Sequence, residues 1–150
     1  MGLDFEQLAF IEKWRTRASR GVVVALDGRR GDIVVTVRVG DLGERLDLRG
    51  RDATGAIRKS RLTIGDRVTV AVEYIAKDPV PGSGVASVSG DLVAPGATIE
   101  GTLASAGDIA VVQCGADVLV RGETLTGFAP GDAVRFTVAE EGKAYLIPTR

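Results

Sequence analysis

The sequence predicts an all-β protein, two small five-stranded barrels in tandem preceded by an N-terminal α-helix. Three observations carry that expectation. Short runs of alternating apolar and polar residues recur along the chain, as strands with one buried face require. Valine and threonine are plentiful and 20 of the 150 residues are glycine, a composition suited to pleated strands and tight turns. Three short motifs also recur in the same order in the two halves.

The elements follow in chain order. Leu3 to Ala18 reads as a helix, with Asp4 placed as its N-cap, Gln7 reaching back, and Leu3 and Leu8 stapling the cap. Leu3, Phe10, Ile11, Trp14 and Ala18 share one face at helical spacing, while Lys13, Arg15 and Arg17 suit the negative end of the dipole. Gly21 to Leu26 and Asp32 to Val39 read as the first two strands, joined by the arginine-tipped turn DGRRG. Ile33, Val35, Val37 and Val39 alternate with Val34, Thr36 and Arg38. A GDLG turn leads to a third strand, Glu44 to Arg49. Gly50 to Lys59 has room for one helical turn. Arg67 to Ile75 is the fourth strand, with Val68, Val70, Val72 and Tyr74 on one side.

Two prolines and two glycines in Lys77 to Gly84 predict a long irregular loop. Val85 to Val93 then reads as the fifth strand of the first barrel, and Ala94-Pro95-Gly96 as the junction. The expected division is therefore helix 1–19, first barrel 20–94 and second barrel 95–150. In the second, Thr98 to Ala104, Ile109 to Cys114, Asp117 to Arg121, Ala133 to Glu140 and Ala144 to Pro148 are the strands. The matched motifs are Gly31-Asp32-Ile33 with Gly107-Asp108-Ile109, Arg49-Gly50 with Arg121-Gly122, and Gly65-Asp66 with Gly131-Asp132.

Composition narrows the chemistry. Histidine is absent and Cys114 is the only cysteine, so histidine acid–base catalysis, an internal disulfide and the usual zinc sites are excluded. Cys114 sits among apolar neighbours and reads as a small buried residue rather than a nucleophile. The glycines lack the Gly-Lys-Ser/Thr ending of a phosphate loop. The expectation is a protein that is not an enzyme and takes no cofactor or metal. No apolar run is long enough to span a membrane and no leader pattern opens the chain, so a cytoplasmic location with no membrane partner is expected.

The net charge of −1 hides an uneven spread. Residues 1–78 hold 15 Lys and Arg against 12 Asp and Glu, and residues 79–150 hold 4 against 8. From Lys13 to Arg61 the balance is 13 basic to 6 acidic. A basic surface on a near-neutral molecule is what an anionic partner would feel. Its candidate residues are Arg29, Arg30, Arg49, Arg51, Arg58, Lys59 and Arg61, all in turns or near strand ends, and arginine offers a planar fork to phosphate.

Two segments carry a family resemblance. Gly55-Ala-Ile-Arg-Lys-Ser60, followed by Ile64-Gly-Asp-Arg-Val-Thr-Val70, resembles the Gly-x-Met-Arg-Lys and Gly-Asp-Lys/Arg-Val-x-Val segments of bacterial translation initiation factor 1 and related S1-type RNA-binding domains. Gly21-Val-Val-Val is similar to their opening strand. The resemblance covers Arg20 to Lys77 and implies the partly open Greek-key barrel known as the OB-fold. Structured RNA or the ribosome is then the implied partner, with Arg58, Lys59 and Arg61 matching the basic loop that meets RNA. This chain departs from the pattern in a shorter Arg58-to-Gly65 spacing, the preceding helix and the second barrel.

The second and third strands of both barrels hold no aromatic residue, which disfavours single-strand binders that stack bases and leaves structured RNA read by phosphate and shape. The alternative function is a structural or protein-binding adaptor, for example an assembly or phage-type component. In it the arginines only solubilise the surface and pair with Asp27, Asp47 and Asp52. The acidic second barrel suits a protein partner, and Trp14, Arg15 and Arg17 on the helix are candidate partner-binding anchors.

Overall fold

A computed structural model describes residues 5–29, 32–39, 46–89, 92–121 and 125–147. Leu3, Asp4, Arg30, the GDLG turn and Gly122 lie outside them, as do the side chains of Gln7 and Arg29. The protein is all-β behind one short helix, with two OB-like five-stranded barrels in tandem.

The repeated Gly-Asp motif shows how the two halves are built alike. Asp66 accepts the Thr63 amide on its carboxylate at 2.9 Å, and Asp132 accepts the Ala129 amide at 2.9 Å. Gly65 and Gly131 both have positive φ, 99° and 95°, which glycine alone adopts freely. Each donates its amide to a carbonyl of the first strand of its half, Val23 and Leu103, both at 2.8 Å. The amides of Val23 and Leu103 donate back to Asp66 and Asp132 at 2.9 Å. Both first strands also carry a register shift just after that residue, between Val23 and Ala25 and between Leu103 and Ser105. A bulge there bends the strand so that one strand can pair on both sides and close a small barrel.

In the first barrel, β1 (Ser19–Arg29), β2 (Asp32–Val39) and β3 (Leu46–Asp52) form an antiparallel meander. A short helix α2 (Ala56–Lys59) follows, then β4 (Arg67–Tyr74), which pairs back on β1. Val35, Val37, Val39, Val70, Val72 and Tyr74 point inward and are buried, as the alternation predicts. The fifth strand is not the expected Val85–Val93 stretch. Among the described residues that stretch supplies two dipeptide strands, β6 (Ser87–Val88) and β7 (Leu92–Val93), pairing β8 (Thr98–Ser105) and β3 respectively. The gap between β3 and β4 is filled by β12 (Lys143–Leu146), parallel to β3 and antiparallel to β4.

The second barrel is completed in the reciprocal way. β8 (Thr98–Ser105), β9 (Ile109–Gln113), β10 (Asp117–Arg121) and β11 (Ala133–Val138) follow the plan of the first four strands. Its fifth position is filled by the continuation of β4: the end of β4 runs parallel to β10, and β5 (Ala76–Pro81) pairs antiparallel with β11. Each barrel thus takes one strand from the other half of the chain. The expected irregular loop at Lys77 is this strand. Pro79 falls where the β5–β11 register shifts, between the Arg135–Val80 and Thr137–Lys77 pairs, and Pro81 is the last residue of β5, which ends the strand order; proline is tolerated at such bulges and edges. Ala144, expected to end the second barrel, is in the first and is fully buried there.

Helix α1 (Phe5–Trp14) and a 3₁₀ turn (Arg15–Arg17) lie across the join. Ile11 and Trp14 are buried with Ala71 of β4, Val111 of β9, Leu119 of β10 and Ile147. Phe10 stacks on Tyr145 of β12 at 4.2 Å between ring centroids. The helix therefore packs in cis on both barrels. Ala71, on the outer face of β4, is covered in this way, and Glu73 on the same face, between β10 and β12, is 5% exposed and pairs with Arg121 at 3.2 Å.

Cys114 is buried, and burial pushes its thiol up to about 11. Only the thiolate reacts with alkylating reagents, so at pH 8 the native thiol is expected to be modified about a hundredfold more slowly than in urea-unfolded chain. A thiol-reactive dye followed with and without urea checks this, and equal rates would contradict the burial.

Candidate functional site

The basic residues gather where α2 closes one end of the first barrel. Asp52 holds this turn, its carboxylate accepting the amides of Ile57 at 3.4 Å and Arg58 at 3.2 Å. Thr54 Oγ1 accepts the Ala56 amide at 3.3 Å, and Gly55 enters with φ 77°. Ile57, the apolar residue inside a basic stretch, turns inward at 1% exposure and plugs the barrel end. Arg58 and Lys59 are thereby left on the exposed side. Arg61 follows with φ 52°, a left-handed conformation unusual for a side chain of its size, and is also exposed.

Between α2 and the β1–β2 hairpin lies an open cavity of about 300 Å³. Leu26 and Gly28 of β1, Ile33 of β2, and Ile57, Arg58, Arg61 and Leu62 line it. Among the described residues none of the lining groups is a carboxylate. The floor is apolar and the rim carries two guanidinium groups. A second cavity, about 400 Å³, lies against β5 and β11, where Asp78 sits with Arg135 and both signs of charge are present.

The other candidate residues are placed differently. Arg49 pairs with Glu141 at 3.0 Å, on the segment leading into β12, and so is drawn toward a partner 92 residues away in sequence. Arg51 is exposed on β3, opposite Lys143. Arg29 ends β1, the strand whose Leu26 and Gly28 line the cavity, and Arg30 lies outside the described residues. Of the acids expected to pair with the arginines, Asp47 takes Arg38, with Nε at 2.9 Å and Nη2 at 3.1 Å, and Asp52 accepts the α2 amides. On the helix side, Trp14 is 7% exposed and packed inward, Arg15 pairs with Glu12 at 2.8 Å, and Arg17 meets Asp117 at 3.4 Å. The structure thus brings Arg58, Lys59 and Arg61 together and turns Arg49 away. The apolar lining Leu26, Ile33, Ile57 and Leu62 was not among the sequence candidates, since apolar residues near strand ends carry no signal separating a cavity wall from core.

No protein-family profile matches the chain, and no curated protein matches it. Among solved structures it is similar to the cytoplasmic molybdate-binding protein ModG with molybdate bound, at 17% identity and a TM-score of 0.41. That alignment covers 87% of this chain and 95% of ModG.

Proposed function

We propose that this protein is a non-catalytic RNA-binding protein that holds phosphates of structured RNA at the α2 end of the first barrel. The observation that carries the reading is the cavity rim, where Arg58 and Arg61 stand together with no carboxylate among the described lining residues. Lys59 and Arg51 are exposed on neighbouring elements. The Gly55–Ser60 and Ile64–Val70 segments that resemble initiation factor 1 and S1-type domains form α2 and the entry to β4, which supports structured RNA as the class of partner. A ribosomal or translation-associated site is the finer expectation of the same resemblance. A protein-binding adaptor is the second reading, favoured by Phe5 and Leu8, which are 86% and 48% exposed on the helix.

Binding to a structured RNA, a single strand, duplex DNA and a small oxyanion such as molybdate, each across a salt series, tests the proposal. Structured RNA is expected to bind tightest and to weaken steeply with salt. Arg58→Glu with Lys59→Glu is expected to abolish that binding while the fold stands, because exposed substitutions usually shift stability by less than about 0.5 kcal/mol. In milder variants such as Arg58→Ala, every phosphate that is no longer neutralised should flatten the slope of log affinity against log salt by about 0.7 to 0.9. Unchanged binding by the folded double variant would overturn the site, and no RNA binding at low salt would favour the adaptor.

A further inference from the structure

We infer that the cavity between α2 and the β1–β2 hairpin is a slot for one unpaired nucleotide, its phosphate on Arg58 and Arg61 and its base against the apolar floor. The inference rests on the RNA-binding reading and narrows it to RNA that presents a bulged, looped or terminal base. The lining has two parts with different chemistry. Of the seven described lining residues, Leu26, Ile33, Ile57 and Leu62 are aliphatic, and two are arginine. A bare oxyanion would satisfy the guanidinium groups and leave the aliphatic floor wet. A purely apolar ligand would leave the arginines unused. A phosphate joined to a flat ring that lays its face on the aliphatic floor and turns its polar edge to solvent satisfies both, and the volume of about 300 Å³ is at the small end of ligand pockets.

The backbone holds the two arginines in place. The Arg61 amide donates to the Arg58 carbonyl at 3.3 Å, closing a turn that presents both side chains to one cavity. Arg61 achieves this through its positive φ, and non-glycine residues held there cluster at ligand sites. The floor offers no side-chain donor or acceptor to a base edge among the described residues. The slot is therefore tolerant of base identity and selects for availability. A base stacked inside an A-form helix cannot reach it, whereas an extruded one can. With no aromatic ring to stack on, the base contributes through aliphatic contact.

Amide resonances of the full chain, titrated separately with uridine monophosphate, ribose 5-phosphate and inorganic phosphate, test the slot directly. The nucleotide is expected to shift Leu26, Gly28, Ile33 and Leu62 as well as Arg58 and Arg61. The other two are expected to shift only the arginine side, at concentrations about fivefold to tenfold higher, the factor that removing about 40–50 Å² of apolar surface from water contributes. Identical shifts at identical concentrations from all three would overturn the slot. A pair of hairpin RNAs with and without a one-nucleotide bulge gives the second measurement. Tighter binding of the bulged hairpin by a similar factor supports the slot. Equal binding overturns it and leaves the RNA reading standing, and binding of neither hairpin overturns both.

Discussion

Ending the chain after Glu140 is expected to unfold the first barrel, although the residues removed come more than sixty positions after its fourth strand. β12 is the strand that pairs with both β3 and β4 and closes the ring between them. Gly142 accepts the Arg51 amide at 2.7 Å, Ala144 accepts the Ala53 amide at 3.0 Å, and Ile147 donates to Thr69 at 2.8 Å. Ala144 and Ile147 are 0% and 3% exposed, and Tyr145 carries the ring on which Phe10 stacks. Each backbone bond contributes about 1 kcal/mol net, and a buried isoleucine cut to alanine costs about 2–5 kcal/mol. Their sum takes most of the 5–15 kcal/mol by which a domain is ordinarily stable. Urea unfolding followed by the fluorescence of Trp14, the single tryptophan, reads the loss. An undiminished midpoint would contradict the topology.

Tyr74→Ala is expected to have the next largest effect. Tyr74 ends β4 where the chain passes from one barrel to the other, is fully buried, and donates its hydroxyl to the Arg49 carbonyl at 3.2 Å. Gly142 lies so close that a Cβ there would be 2.6 Å from the tyrosine Cε1, so ring and glycine are fitted to each other. Cutting a large buried aromatic to alanine costs about 3–5 kcal/mol, whereas Tyr74→Phe loses only one hydrogen bond, about 1 kcal/mol. Burial also holds the phenol well above its ordinary value of 10.0. The unfolded phenol ionises first as pH rises, so this stabilisation is complete below pH 10 and declines above it. Tyr74→Phe should flatten the alkaline decline without removing it, because Cys114, raised to about 11, acts in the same direction. Urea midpoints at pH 7 and 11 for both variants check the size and the sign, and a Tyr74→Phe decline as steep as that of the parent would contradict the assignment.

What was legible in the sequence is what neighbouring residues decide. The inward valines of β2 and β4 follow from a period of two, and the turns at Asp66 and Asp132 from aspartate's habit of accepting nearby amides. The helical turn in Gly50–Lys59 and the basic trio Arg58, Lys59 and Arg61 were readable for the same reason. Which strand fills which gap was not. A tetrapeptide such as Lys143–Leu146 has one alternating pattern whether it pairs in its own half or the other, and pairing is settled by the shape of the whole chain. The ion pair of Arg49 with Glu141 depends on that exchange and was hidden with it. Asp52 looked like a counter-charge and is a cap, because two backbone amides meet it at bonding distance.

The exchanged strands also set an order of events during synthesis. When a ribosome has made β1 to β4, the first ring is one strand short, and that strand is translated only after nearly all of the second half. The early product holds two unpaired strand edges, β3 and β4, next to a valine-rich interior, the kind of surface that recruits other chains. The second ring is provided for from the start, since β5 is made before the strands it will join. The half translated later is thus able to close first, and the half translated earlier waits for it.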